Sequence, residues 1–206
     1  GPFHNWNPKI IQYVSPQVWA SRPGRAWQMA EDLDLLLTIF PFEKQWYGAR
    51  VPKLPVTFVG HPMLDRFAPG QRQPKQLPTT GASDAGRQPM VLLLPGSREG
   101  ELTRHLPIII EAAHRISTAR PIRLKMILPT GSLSAQAESF QPSLPQLEIK
   151  VGGLANALEE ADLAIASTGT VTMECAYFGV PTIALYKTSW STYLIGRSII
   201  DVKFLA

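Results

Sequence analysis

A short loop of hydroxyl residues and a glycine is the most informative feature of the sequence. The apolar run 162–165 leads into Ser167-Thr168-Gly169-Thr170, here called the Gly169 loop, and the chain then resumes with helical character. A strand, a tight loop and the start of a helix present backbone N–H groups that can bind phosphate. The sequence therefore predicts an anion-binding site at this loop.

The helix predicted after this loop, from about Thr170 to Phe178, carries a single acid, Glu174. Its neighbours on one helical stripe are apolar, so we expect the carboxylate to be buried. A buried, unpaired carboxylate is strongly destabilising. Glu174 is therefore expected either to be ion-paired within the protein or to accept hydrogen bonds from ligand hydroxyl groups. Anion donors followed one turn later by a hydroxyl acceptor fit the diphosphate and ribose of a nucleotide.

A second loop of the same kind, Pro95-Gly96-Ser97-Arg98, follows the apolar run Val91–Leu94 and is here called the Gly96 loop. Glycine allows close approach of the backbone to a ligand, and arginine offers a planar fork for phosphate oxygens. A simple β-turn with a solvated arginine is the alternative. Two such loops on one sheet can converge on one diphosphate, which favours the functional interpretation.

The elements that must position these loops are strand-length apolar runs separated by stretches of helical character. These runs are Ile10–Val14, Leu35–Ile39, Val56–Val59, Met90–Leu94, Leu124–Leu128, Glu148–Val151, Leu163–Ala166 and Thr182–Tyr186. The alternation predicts βαβ units, and the continuous apolarity is typical of parallel strands covered on both faces. The predicted fold class is α/β, with two Rossmann-like doubly wound lobes.

Residues 69–89 are rich in Pro, Gly, Gln, Ser and Thr and predict an interdomain linker or long loop. We expect residues 1–68 to be the C-terminal part of an incomplete N-terminal lobe, and residues 90–206 to form a nucleotide-binding lobe truncated at its C-terminus. Two such lobes bind ligand in the cleft between them. The chain opens without Met and ends inside an apolar run, which suggests a fragment, although Gly1-Pro2 could also be left by protease cleavage.

Composition narrows the class of protein. The chain has 206 residues, 45% of them hydrophobic, and a net charge of +4 without a run of like charges. A nucleic-acid groove is therefore not indicated, whereas an anionic substrate or an acidic membrane surface fits. The single cysteine, Cys175, excludes a disulfide framework and favours the cytoplasm. No His, Cys and carboxylate cluster has metal-ligand spacing, and no apolar stretch is long enough to span a membrane.

The segment after the first predicted strand also opens a helix. Pro16 is expected near the first helical position, and Gln17 and Trp19 would then lie at the ligand-facing end, with Ser15 beside them. A core position for Trp19 is at least as consistent with the sequence.

Several remaining candidates have a structural explanation that we favour over a functional one. Glu43 fits a charge in the first turn of a helix better than an acid catalyst. His61 fits a hydrogen-bonded hinge residue better than a catalytic base. His105 and His114 do not share a helical face. The aromatic stripe of Ser189–Ile200 fits a core contact better than a bilayer contact.

Six blocks occur in an order and at spacings that point to one family. They are Tyr13–Ala20, Phe40–Glu43, Val59–Pro62, Leu94–Arg98, Ala166–Thr170 and Tyr186-Lys187. Together they closely resemble the lipid-A-disaccharide synthase family. The resemblance implies the two-lobed GT-B glycosyltransferase fold. It also implies transfer of 2,3-diacylglucosamine from its UDP donor to 2,3-diacylglucosamine 1-phosphate (lipid X), with formation of a β-1,6 linkage and release of UDP. That reaction takes place at the cytoplasmic face of the Gram-negative inner membrane, to whose anionic surface the enzyme is peripheral.

The resemblance also implies roles for the site residues. Arg98 would contact the diphosphate and stabilise departing UDP without a metal or cofactor, and Glu174 would accept from the ribose hydroxyls. Ser15, Gln17 and Trp19 would border the acceptor. The positions implied to bind the phosphates are Gly96, Ser97, Arg98, Ser167, Thr168, Gly169 and Thr170.

The family's proposed catalytic base lies upstream of residue 1 and its Pro-Asn motif lies beyond Ala206, so we expect these residues alone to be inactive. Two alternatives stay open. One is another UDP-sugar enzyme of this fold, such as the peptidoglycan N-acetylglucosaminyltransferase or a UDP-sugar 2-epimerase. The other is a non-catalytic protein that binds UDP.

Overall fold

The computed structural model describes residues 8–66 and 87–187. Contacts divide these residues into two compact units, each built on a parallel sheet. All eight predicted strands are present, each within one residue of its predicted ends, and the fold-class prediction of α/β with Rossmann-like parallel sheets is confirmed. Most of the predicted linker 69–89 and all of the stripe Ser189–Ile200 lie outside the described residues.

The first unit has a three-stranded parallel sheet in the order β1-β2-β3. Its elements are β1 (Ile11–Tyr13), α1 (Val18–Ser21), α2 (Arg25–Asp32), β2 (Leu35–Thr38), α3 (Pro41–Arg50), β3 (Val56–Phe58) and a 3₁₀ turn (Pro62–Arg66).

The core of the first unit lies on one face of its sheet. Leu36 of β2 and Tyr47 of α3 are both fully buried, in one cluster with apolar residues of α1 and α2. We expected the strands to be covered on both faces. On the opposite face of β1, however, Ile11 and Tyr13 are 56% and 53% exposed. Both residues are paired with β2 in register. These exposed apolar side chains therefore stand on a regular strand of the sheet.

The second unit is a five-stranded parallel sheet in the order β6-β5-β4-β7-β8. Its elements are β4 (Met90–Leu94), α4 (Glu99–Ala119), β5 (Arg123–Leu128), α5 (Gly131–Glu138), a 3₁₀ turn (Gln141–Ser143), β6 (Leu147–Val151), α6 (Leu154–Glu160), β7 (Leu163–Ser167), α7 (Thr170–Tyr177) and β8 (Thr182–Leu185). The chain runs outward from β4 to β6 and then returns to the other side of β4. This is the doubly wound order, and ligands of such sheets bind where the order reverses, here between β4 and β7.

The centre of the second unit is apolar. Every residue of β4 is buried. The fully buried stripe of α4 lies in one cluster with Val91 and Leu93 of β4, and its members are Leu102, Leu106, Ile109 and Ala113. Burial of one such leucine or isoleucine stabilises the fold by about 1.5–3 kcal/mol. The carboxyl end of β4 and the start of α4 are therefore held on a rigid support.

One lysine interrupts the apolar run of β5. The Lys125 ammonium is buried, donates to Glu160 Oε2 at 2.8 Å and lies 3.6 Å from Glu148 Oε2. The hydrogen bond from Lys125 lowers the pKa of Glu160, because it favours the charged carboxylate. The buried ammonium is thus paired with two carboxylates, as a buried cation requires. We therefore assign Lys125, Glu148 and Glu160 a structural role.

Candidate functional site

The Gly96 and Gly169 loops leave adjacent strands of the second unit. Leu94 at the end of β4 is paired in register with Ala166 of β7. Because the strands are parallel, both loops stand at the same edge of the sheet, at the point where the strand order reverses. The fold therefore brings together the two loops that the sequence marks as anion-binding.

Both loops depend on a glycine with positive φ. Gly96 has φ +134° and Gly169 has φ +143°, values that side-chain-bearing residues rarely adopt. A Cβ added to Gly96 would also lie 2.8 Å from the Cβ of Glu101, whereas no atom lies within 4 Å of a Cβ added to Gly169. The Gly169 backbone is thus open to close approach, while the Gly96 backbone is packed against α4.

The Gly96 loop is held by the carboxylate of Glu101, in the first turn of α4. Glu101 Oε2 accepts the backbone N–H of Ser97 at 3.1 Å, and Oε1 accepts from Arg98 Nη1 at 3.0 Å. The Arg98 side chain remains 80% exposed. Since a guanidinium carries five N–H donors, Arg98 keeps donors for a ligand while it is bound to Glu101.

His105, on the buried stripe of α4, also contacts this loop. Its Nδ1 lies 2.9 Å from the Pro95 carbonyl oxygen, and its Nε2 accepts the backbone N–H of Lys187 at 3.2 Å. The hydrogen bonds assign the proton to Nδ1, which donates to Pro95. The sequence showed only that His105 does not share a helical face with His114. The missed signal is a polar residue on an apolar helical stripe, the same signal that singled out Glu174.

The Gly169 loop is shorter than the sequence indicated, because β7 continues to Ser167. Ser167 is buried, and the N–H of Thr168 donates to the Leu185 carbonyl of β8 at 3.1 Å. Gly169 and Thr170 are exposed at the start of α7, where the first helical N–H groups have no intrahelical acceptor. The accessible backbone donors of this loop are therefore those of Gly169 and Thr170.

Glu174 is buried on α7, as its stripe predicts, with 7% of its surface exposed. Burial raises the pKa of the neighbouring Cys175 thiol, and the charge of Glu174 acts in the same direction. Cys175 is thus a protonated, unreactive core thiol near neutral pH. The role of Glu174 toward a ribose stays a prediction.

The predicted acceptor-side residues of the first unit have different environments. The Ser15 hydroxyl lies 2.7 Å from the Tyr47 hydroxyl in the interior, and Trp19 Nε1 donates to Glu43 Oε1 at 3.2 Å. Gln17 is exposed. It lines an open pocket of about 240 Å³ together with Pro16, Val18, Ser21, Arg22 and Arg25. Of the three, Ser15 is buried, Trp19 is half-buried and Gln17 is exposed.

Pro16 lies near the first helical position, as predicted, but two residues before α1 begins at Val18. Its carbonyl accepts the Val18 N–H at 2.7 Å, which forms a turn before the helix. His61 is half-buried, and its Nδ1 accepts the backbone N–H of Met63 at 3.1 Å. The predicted hydrogen bond of His61 is therefore present, just before the 3₁₀ turn, and the hinge role stays a prediction.

Glu43 is fully buried in the first turn of α3, where it accepts from Trp19 Nε1 and, at 3.0 Å, from the Phe40 N–H. We expect Glu43→Gln to destabilise the protein by about 1–3 kcal/mol, since the new amide group would turn a donor toward one of these donors. Urea unfolding of the 206-residue chain measures the change. The exposed Glu31 of α2 is the control, and Glu31→Gln should stay within about 0.5 kcal/mol of wild type. Equal midpoints for the two variants would contradict the assigned role.

Within residues 8–66 and 87–187, no group of three His, Cys, Asp or Glu side chains is placed to hold a metal ion. No helix in the same ranges is long and apolar enough to cross a membrane.

The chain as a whole matches a known protein family. The family model described as lipid-A-disaccharide synthetase matches residues 4–206. The chain belongs to the lipid-A-disaccharide synthetase family. Both glycine loops and the Ser15–Trp19 segment lie inside the matched range.

Curated relatives of the same family cover nearly all of the chain. The lipid-A-disaccharide synthase of Solibacter usitatus is 33% identical over 98% of it, and that of Geobacter metallireducens is 36% identical over 96%. The enzyme of Syntrophus aciditrophicus is 37% identical over 95%. In each case the match covers 51% of the relative, so the chain spans about half the length of the curated relatives it matches.

Solved structures give more distant matches. A crystal structure of a GtfA/B complex is 12% identical, with a TM-score of 0.49 over 81% of this chain and 33% of the other. The pneumococcal O-GlcNAc transferase GtfA in complex with UDP and GlcNAc is 12% identical, with a TM-score of 0.45 over 78% and 31%.

Proposed function

We propose that this chain, within a protein of the full length of its relatives, acts as a lipid-A-disaccharide synthase. The enzyme would transfer 2,3-diacylglucosamine from its UDP donor to lipid X, forming the β-1,6 disaccharide and releasing UDP. The observation that carries the proposal is the family match over residues 4–206. The placement of two glycine loops on the adjacent strands β4 and β7 supports it, because that edge of a doubly wound sheet is where nucleotides bind.

In this proposal the donor diphosphate lies against both glycine loops of the second unit. Arg98 contacts it with the N–H groups that Glu101 leaves unused, and the N–H groups of Gly169 and Thr170 contact it from the start of α7. Negative charge grows on the diphosphate as the glycosidic bond to it breaks. A fixed guanidinium and fixed backbone dipoles stabilise that charge without rearranging, so no metal or cofactor is proposed.

The acceptor side is proposed to include Gln17, with Ser15 and Trp19 acting behind it. Trp19 is fixed by Glu43 and Ser15 by Tyr47, so both would shape the surface and leave direct contact to Gln17. The net charge of +4 suits an anionic acceptor and attachment to the anionic inner-membrane surface from the cytoplasm. These assignments rest on the family and on the placement of the residues.

A direct assay tests the proposal. Purified full-length protein is incubated with UDP-2,3-diacylglucosamine and lipid X, and both the disaccharide and UDP are quantified. We expect equal amounts of the two products, no turnover with UDP-N-acetylglucosamine in place of the acylated donor, and no disaccharide from residues 1–206 alone. Turnover of the unacylated donor would instead identify another UDP-sugar enzyme, and UDP binding without turnover would identify a binding protein.

A further inference from the structure

A single imidazole joins two segments of the second unit that share no strand pairing. His105 bonds to the Pro95 carbonyl, just after β4, and to the Lys187 N–H, two residues after β8. In the sheet, β7 lies between β4 and β8. The contact therefore couples the Gly96 loop to the chain that leaves β8, at the same edge of the sheet as the Gly169 loop.

The contact requires a neutral histidine with its proton on Nδ1. One ring nitrogen donates to a carbonyl and the other accepts from an N–H, and the ring is only 1% exposed. Histidine is the side chain that offers a donor and an acceptor at opposite ends of a rigid ring. Asparagine can replace the Nδ1 donor but does not reach Lys187, whereas glutamine can present an acceptor to Lys187 but leaves the Pro95 carbonyl unbonded.

Two residues one helical turn apart on α4 thus control the Gly96 loop. Glu101 holds its Ser97 N–H and its Arg98 guanidinium, and His105 holds its first carbonyl. His105 also anchors the backbone of Lys187, whose side chain is exposed. A second cationic residue is therefore fixed at the edge of the sheet where Arg98 lies.

We propose that His105 is a positioning residue, which sets the Gly96 loop and the Lys187 backbone in the arrangement that binds a nucleoside diphosphate. The proposal rests on the function proposed above for the Gly96 loop. His105 is buried and acts through the two backbone segments that it joins. Its loss should therefore weaken nucleotide binding in a protein that still folds.

The test compares UDP affinity and thermal stability in His105→Asn, His105→Gln and His105→Ala of the full-length protein, by titration calorimetry and thermal unfolding. Each of the Asn and Gln variants restores only one of the two hydrogen bonds, so we expect UDP affinity to fall about 5- to 30-fold in both, and further in the Ala variant. His114 lies exposed on the same helix, and His114→Asn should bind UDP within twofold of wild type.

A double variant separates positioning from general stability. If His105 acts through the Gly96 loop, the effects of the two substitutions should not be additive. The double variant His105→Asn with Arg98→Ala should then bind UDP less than about threefold more weakly than Arg98→Ala alone. UDP affinity within twofold of wild type in both folded single variants would overturn the proposal, and so would a full additive loss in the double variant. Failure of the wild-type protein to bind UDP would instead overturn the proposed function.

Discussion

Replacing Arg98 with alanine should lower kcat/KM for disaccharide formation by the full-length protein about 10²- to 10³-fold, the cost of removing one fixed donor from a developing anion. The Arg98 side chain is 80% exposed and already oriented by Glu101 at 3.0 Å. Arg98→Lys keeps the charge but loses the planar fork, so it should recover only part of the loss. Initial rates of UDP release at several donor concentrations measure both variants.

Arg115 provides a matched control for Arg98. It lies on the same helix, is 77% exposed and is paired with Glu111 at 2.8 Å, as Arg98 is paired with Glu101. Exposed ion pairs contribute little to stability, so neither alanine variant should shift unfolding by more than about 1 kcal/mol. Arg115→Ala should keep wild-type kcat/KM. Equal activity of the two alanine variants would show that Arg98 has no special role.

The strands were predictable because parallel strands in the interior carry continuous apolar runs. In β4 all five residues are buried, and the run Met90–Leu94 was predicted without error at either end. The same logic fails for β1, where Ile11 and Tyr13 are apolar but more than half exposed. Apolar composition shows that a strand is able to pack on both faces, but it does not show how much of each face is buried.

The position of the glycine loops was also predictable, whereas the identity of the available donors was not. The Gly169 loop follows from a strand that ends in small hydroxyl residues. Which of its N–H groups can bind a ligand depends on how far β7 pairs with β8. The Thr168 N–H, for example, donates to the Leu185 carbonyl. Strand pairing between residues far apart in the chain leaves no local signal in the sequence.

The contacts that hold the candidate residues within each unit are likewise long-range. Trp19 meets Glu43 and Ser15 meets Tyr47 across 24 and 32 positions, and His105 meets Lys187 across 82. Each pairs a polar group in a buried position with a partner that only the fold brings near. A buried polar residue on an apolar stripe can be recognised from sequence, as Glu174 was, but its partner cannot.

Alanine at Gly96 should produce the largest combined loss of stability and binding among the glycine variants. The residue has φ +134°, and an added Cβ would lie 2.8 Å from the Glu101 Cβ. That carbon is fixed by the α4 backbone, so the loop would have to move. We expect a destabilisation of about 1–3 kcal/mol from the backbone strain, measured by urea unfolding of the 206-residue chain, and loss of detectable UDP binding by the full-length protein.

Two other glycines turn this prediction into a graded series. Gly169 has a similar φ of +143° but open space around its Cβ, whereas Gly131, the first residue of α5, has open space and no positive φ. Gly169→Ala should therefore be destabilised by backbone strain without a clash, and Gly131→Ala should be neutral or slightly stabilising. We expect the highest urea midpoint for Gly131→Ala, a lower one for Gly169→Ala and the lowest for Gly96→Ala. A Gly96→Ala variant as stable as Gly131→Ala would mean that the Gly96 loop adapts freely, and its assigned rigidity would then be wrong.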